Sequence, residues 1–222
     1  MEAQGIFANI DHRDKKSTTN LLVGYRHLNI EGGARWFSLK ADAVGKDITK
    51  VPSAPEASKN YGFDGLAKES EGYIIALNHE QKMNNDWKWF MNAGMNSNKL
   101  QRNIIGASSN FVIINDKGDV KNNLMSTQTV TKNYYAQIGV NGNIKTGEIS
   151  HDLTLAFDKA WHSIEGAKNM YNDGSMGSVS GNIYSGLHGN NIWYPSIETG
   201  LSSKDQYWGI SLADTIKYKK AQ

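Results

Sequence analysis

The 222-residue chain has no cysteine, which removes disulfides, thiolate metal sites and cysteine nucleophiles from consideration. Proline is scarce, at three residues, so long stretches are free to continue a regular ladder. No run of about 18 apolar residues exists, and a membrane-spanning helix is therefore not expected. Charge of one sign is not in excess: 24 Lys and Arg stand against 22 Asp and Glu, a net charge of +2. That balance, with no basic patch interleaved with aromatics, argues against nucleic acid as a partner. Met1-Glu2-Ala3-Gln4 leads straight into strand-like sequence, without the charged and apolar regions of a leader peptide.

What is present is an unusual mixture. Mean hydropathy is -0.55, yet the chain carries 6 Trp, 10 Tyr and 6 Phe. The aromatic content argues against disorder. A membrane β-barrel averages out as polar because its lumen face, turns and outer loops are wet and only alternate strand residues meet lipid. Period-two alternation, the mark of a strand with two unlike faces, is the strongest signal. Tyr134, Ala136, Ile138 and Val140 share one face, and Tyr135, Gln137, Gly139 and Asn141 the other. After a turn around Asn143-Ile144-Lys145, Ile149, His151, Leu153, Leu155 and Phe157 oppose Ser150, Asp152, Thr154 and Asp158. Trp87, Trp89, Met91, Ala93 and Met95 likewise oppose Lys88, Phe90, Asn92, Gly94 and Asn96. Further strands are expected around residues 6–10, 18–28, 34–46, 70–80 and 205–218.

The total is about eight strands, joined by short connections near 12–17, 30–33, 83–85 and 143–145 and by long ones near 47–69, 98–131 and 161–204. Compact soluble domains rarely hold repeated structureless loops beyond about 12–15 residues, whereas outer-membrane barrels alternate short periplasmic turns with long outer loops. On that rule the first strand runs outward, and the short connection at 12–17 is an exception among the outer ones. The fold class expected is all-β: part of a transmembrane, antiparallel, up-and-down β-barrel.

Three segments carry a family resemblance. Val51-Pro52-Ser53-Ala54-Pro55-Glu56-Ala57-Ser58-Lys59-Asn60-Tyr61, following a strand, resembles the proline-containing outer-loop segment of TonB-dependent siderophore receptors. The stretch 139–153, with its Thr146-Gly147 turn followed by His151, resembles that family's periplasmic hairpin, and Ser211-Leu212-Ala213-Asp214-Thr215-Ile216 resembles a strand leading into a periplasmic turn. The resemblance covers about residues 50–220. It implies outer-membrane localisation, a ferric siderophore and outer-membrane lipid as partners, and coupling to the TonB system through a plug domain not visible here. Barrels of such transporters have 22 strands, so residues 1–222 are expected to be a middle portion, with the plug and the C-terminal strands absent.

No cofactor, metal site or catalysis is expected. His12, His27, His79, His151, His162 and His188 are scattered without metal-ligand spacing. His151, on an apolar strand face near a turn, suits a bilayer-interface position better than a catalytic one. Asp152 and Asp158 share the polar face, where wall-lining charges are commoner than an acid–base pair. Gly174-Ser175-Met176-Gly177 lacks the strand-to-helix context of a phosphate loop. Trp87, Trp161, Trp208 and Tyr218 lie near strand ends and suit an interfacial aromatic girdle. Tyr61, Tyr171, Trp193 and Tyr194 lie in outer loops, where amphipathic rings can grip a ligand or pack loop against loop; these four are the candidate ligand-binding residues. Two other readings remain: a porin-like barrel segment, and a soluble β-sandwich binding module that buries its apolar faces against each other.

Overall fold

The computed structural model describes every residue except 33–36, 64, 106–110, 170, 172–173 and 219–222. Seven long strands form one antiparallel meander: β1 (Glu2–Arg13), β2 (Ser17–Glu31), β4 (Ala67–Lys82), β5 (Trp87–Ile105), β7 (Asp119–Thr146), β8 (Ile149–Ala167) and β11 (Thr199–Tyr218). Four short strands lie in the long connections: β3 (Phe37–Leu39), β6 (Phe111–Ile113), β9 (Ser178–Asn182) and β10 (Gly186–Asn190). Among the described residues the sheet is open: β1 pairs only with β2 and β11 only with β8.

Each short turn has its own local chemistry. The carboxylate of Asp14 accepts the backbone N–H groups of Lys16 (2.6 Å) and Ser17 (2.7 Å), closing the β1–β2 hairpin. Asn84 does the same for Asp86 and Trp87, both at 2.9 Å. Gly147 supplies a positive φ of 61° between β7 and β8.

The expected strand at 34–46 is not formed. Residues 34–36 lie outside the described set; beyond them the chain makes the three-residue β3 and a 3₁₀ turn at Ala41–Ala43. Phe37 and Leu39 pack against a loop core instead of alternating along a long strand. Removing that strand shifts the parity. Connections now alternate strictly: 14–16 short, 32–66 long, 83–86 short, 106–118 long, 147–148 short, 168–198 long. If short turns are periplasmic, β1 runs inward rather than outward, and the turn at 14–16 is no longer an exception.

Register shows how the two faces are built. Residues directly opposite each other share a face, and Val23, Ile75, Met95, Tyr134, Trp161 and Gln206 form one row across six strands. This face carries Ile10, Leu21, Leu77, Met91, Ile138, Val140, Leu155, Phe157, Ile210 and Leu212. Ile138 is 55% exposed and Leu155 48%, a degree of exposure that suits lipid as the neighbour. Trp87, Trp161, Trp208 and Tyr218 all fall on it. The opposite face is rich in amides, among them Asn20, Asn78, Asn92, Asn96, Asn133, Gln137 and Asn141, with a few rings such as Phe7, Phe90 and Tyr135.

The apolar band also drifts along the strands. It is centred on Val23 in β2, but in β11 it is centred near Leu212, six residues beyond Gln206, the residue in register with Val23. Spread over five strand steps of about 4.8 Å, at about 3.3 Å per residue, this offset corresponds to a strand tilt of about 40°. Outer-membrane barrels tilt by roughly 35–45°.

Candidate functional site

The strands are longer than a bilayer needs. A tilted span requires about 9–11 residues, whereas β7 has 28 and β5 and β8 have 19 each. The surplus rises beyond the girdle on the long-loop side. There the apolar face of the sheet continues through Leu124 and Val120, both buried. The three long connections cover it. Phe63, Leu66, Phe111, Ile113, Met176, Val179, Ile183 and Leu187 close a core over these two residues, with Phe37, Leu39, Tyr171 and Ile192 packed around it. Phe111, fully buried, sits 5.5 Å from the Phe37 ring and 6.3 Å from Phe63. The outer connections are thus a folded cap with its own small sheet, in which β6 and β9 pair with the end of β7 and β3 pairs with β6.

Polar ties hold the three connections to one another. Asp116 accepts the backbone N–H groups of Thr49 (2.7 Å) and Lys50 (2.9 Å) and the Thr49 hydroxyl (2.6 Å). The Tyr184 hydroxyl donates to the Ser53 carbonyl at 2.9 Å, fixing the proline-containing segment against the β9–β10 hairpin. Asn182 donates to the Lys117 carbonyl and to Asp119, both at 2.8 Å.

Hydrogen bonds from Lys50 N–H and from Thr49 hold the Asp116 carboxyl below the usual carboxylate range. A depressed folded-state value means the tie stabilises above the ordinary unfolded carboxyl range and is lost as pH falls through the folded value. Amide exchange at Thr49 and Lys50 is therefore expected to lose protection on acidification below about pH 4. In Asp116→Asn that pH dependence should vanish; if it persists unchanged, another group controls the tie.

The four sequence-derived candidates fall in different places. Tyr61 is 8% exposed and stands edge-on to Phe37 at 5.8 Å, so its ring serves the cap's packing. Tyr171 packs edge-on against Trp193 at 5.6 Å, and its hydroxyl accepts from Asn169 at 2.9 Å. Trp193 and Tyr194 are each 51% exposed. Tyr194 lines a cleft of about 470 Å³ with His27, Asn29, Glu69 and Gln101, residues of the lipid-side face of β2, β4 and β5 above the girdle. Tyr184, 45% exposed beside the proline-containing segment, was missed by sequence reading. Its place in a Gly-rich stretch hid it.

The amide-rich face carries a ladder of side-chain hydrogen bonds. Asn133 donates to Asn96 at 2.8 Å, His162 Nδ1 lies 2.5 Å from Asn133, and Asn92 donates to Gln137 at 2.8 Å. A hollow of about 340 Å³ opens beside this ladder, lined by Ile74, Ala76, Gly94, Tyr135 and Tyr207. Amides both donate and accept, so such a wall suits water, a plug or a hydrated solute in transit. Acid–base chemistry finds no constellation there. Asp152 is ion-paired with Lys217, and Asp158 lies on the same face six residues away. His151 is paired with Asp214 on the lipid side at 2.8 Å. Among the described residues, no three or more His, Asp or Glu are grouped to hold a metal.

Comparison with solved structures matches nearly all of this chain to siderophore-receptor barrels. Against the ferric preacinetobactin receptor BauA of Acinetobacter baumannii the TM-score is 0.75 at 16% identity, covering 98% of this chain and 31% of that one. The fold is that of a siderophore-receptor barrel wall. The siderophore receptor PiuA of the same organism matches with a TM-score of 0.60 at 14% identity, covering 97% of this chain and 33% of that one. The ferric-catecholate import receptor Fiu of E. coli K12 gives 0.57 at 16%, with 98% and 32% covered. In sequence, the chain is 24% identical over 219 residues to the ferrichrome receptor FcuA of Yersinia enterocolitica, which covers 95% of this chain and 26% of that relative. The chain thus spans about a quarter to a third of the length of these relatives. No family model matches it. The relatives are receptors rather than enzymes.

Proposed function

We propose that this chain is a section of the barrel of a TonB-dependent receptor in a bacterial outer membrane, serving the uptake of a ferric siderophore. The observation that carries this reading is the match of 98% of the chain to the barrel of a ferric siderophore receptor, on a sheet whose lipid band has the tilt of an outer-membrane barrel. The relatives are named for ferrichrome, ferric preacinetobactin and ferric catecholate in their own right; this chain's ligand is a chelated iron of that general kind. β1 and β11 have one unpaired edge each. Unpaired backbone in hydrocarbon costs several kcal/mol per group, so further strands of the receptor complete the ring, and a plug domain fills the amide-lined lumen. Residues 1–222 are the middle portion of that barrel. The cap contributes to capture on the outer side, and energy reaches the receptor from the TonB system through the plug.

Within the cap, Trp193 braced by Tyr171 is the ring best placed to touch a ligand, and Tyr194 is the next. Tyr61 acts indirectly, by packing. The receptor carrying this segment, expressed in a strain without its own siderophore receptors, is expected to restore growth on at least one ferric siderophore in iron-poor medium. Growth restored by inorganic iron alone, or equally by unrelated small solutes, points to an open porin-like channel and sinks the reading. Trp193→Ala is expected to weaken binding of the growth-supporting siderophore about tenfold while barrel assembly stays intact. Unchanged affinity would take Trp193 out of the site.

A further inference from the structure

Charge is sorted between the two faces at the outer end of β2, β4 and β5. From Gly24, Ile74 and Asn96 outward, every carboxylate of these strands lies on the apolar side: Glu31, Glu69 and Glu71, the last opposite Lys99. The amide-rich side carries Arg26, Lys68 and Arg102 and no carboxylate. Lys68 and Arg102 are directly opposite each other, a like-charge pair that repels unless an anion joins it. Along β7, alternation puts Lys121 on the same side, exposed at the level of the cap. Among the described residues none of these four cations is in an ion pair, and the buried Arg102 Nε has no hydrogen-bond partner. Two carboxylates of neighbouring strands share this side at these levels. Asp119 accepts from Asn115 and Asn182, both at 2.8 Å, and Asp205 stands on β11, five strands from β2.

Around Arg26 the wall is hollowed. Gly5 and Gly72 are its neighbours in register on either side, so no side chain directly flanks the guanidinium. A Cβ on Gly72 would come within 3.3 Å of Asn98 Oδ1 and 3.8 Å of Arg26 Nε. The Phe7 ring lies over Gly24, where a Cβ would come within 2.3 Å of it. The result is a hollow of about 260 Å³ lined by Phe7, Arg26, Ile74, Asn96 and Asn98. Asn98 Oδ1 accepts from the Ser70 hydroxyl at 3.1 Å, and Asn96 Oδ1 from Asn133 at 2.8 Å. The NH₂ group of each amide is left without an acceptor among the described residues. A cation, two amide donors and an apolar ring thus face one space that no carboxylate lines. That set complements acceptor oxygens bearing negative charge. Lys68, Arg102 and Lys121 continue it outward to the cap, so the positive potential follows the way in instead of marking one fixed contact.

We propose that the ferric chelate this segment admits carries net negative charge, and that Arg26, Lys68 and Arg102 select it over a neutral chelate. The inference rests on the uptake reading above, in which the amide-rich face lines the lumen. The receptor carrying this segment is titrated in detergent with a ferric tris-catecholate, with ferric citrate and with a neutral ferric trihydroxamate, and tryptophan fluorescence reports binding. At least one of the two anionic chelates is expected to bind more tightly than the neutral one. Its affinity should fall as salt rises, while that of the neutral chelate stays level. Arg26→Gln, Lys68→Gln and Arg102→Gln together should weaken the anionic chelate roughly a hundredfold and flatten its salt dependence. Arg26→Lys alone, which keeps the charge, should keep the preference. Lys88→Gln, at the inner end of the same face and paired with Glu80 at 2.8 Å, should change nothing. If the triple variant does not assemble, the salt dependence of the unmodified receptor decides alone. A neutral chelate bound as tightly as both anionic ones, or a preference and salt dependence that survive the triple change, overturns the selection and leaves chelate uptake standing. Failure to bind any ferric chelate overturns the uptake reading, and the selection with it.

Discussion

Arginine at Ile138 or Leu155 is expected to lower barrel stability in lipid by about 2–4 kcal/mol each, while arginine one residue earlier, at Gln137 or Thr154, costs clearly less. The contrast follows from alternation. Ile138 stands opposite Met91 and Phe157, and Leu155 opposite Val140 and Leu212, so a guanidinium at either site projects among apolar neighbours into hydrocarbon. Gln137 and Thr154 lie on the amide face. Gln137 accepts from Asn92 at 2.8 Å, and the Thr154 hydroxyl donates to Asn141 at 2.7 Å. Arginine there loses one neutral hydrogen bond, about 1 kcal/mol, and its charge stays among polar groups. Reversible denaturation of the receptor in lipid vesicles measures the difference. A plug-deleted barrel should be run in parallel, because a bulky lumen side chain also meets the plug. Should the lumen pair prove as damaging as the lipid pair there, the facing is inverted and the chain is closer to a sandwich that buries Ile138 and Leu155 against protein.

The second large effect belongs to the cap. Phe111→Ala empties the centre of the loop core, where the ring is fully buried between Phe37 and Phe63. Truncations of this kind cost about 3–5 kcal/mol. A cap joined to the barrel only at strand ends has little else to draw on, so the expected result is local unfolding of the three outer connections with the wall intact. Limited proteolysis should then cut within 32–66, 106–118 and 168–198 while the heat-modifiable migration of the barrel is unchanged. Siderophore binding should fall further than in Trp193→Ala, because every cap contact is lost together. Protease resistance equal to the unmodified protein would show that the loops are held by something other than this core. A deletion within 168–198 removes core packing as well as surface. Met176, Val179, Ile183 and Leu187 from that span are core residues, so shortening it damages the cap as a whole and does not isolate a ligand contact.

Much of the wall was determined by sequence alone, for a physical reason. Every strand residue chooses between two solvents, and a period of two records that choice locally. The faces of 134–141, 149–158 and 87–95, and the apolar face that Trp87, Trp161, Trp208 and Tyr218 share, could be read without knowing which strand pairs with which; the turn expected at 30–33, which lies at the start of a long connection, could not. Nor could the segment 34–46. Phe37 and Leu39 are as apolar as strand residues, but their partners are Phe111 and Ile113, about seventy residues away, and nothing in a local pattern separates apolar residues on a sheet face from those aimed at another loop. The roles of the aromatic loop residues were undecided for the same reason: Tyr61 packs inward and Trp193 outward only because of where the other two connections lie. Tertiary structure also decided the drift of the apolar band, since tilt is a relation between strands. In each case the sequence determined what a residue prefers to face, and the register between strands determined what is there to be faced.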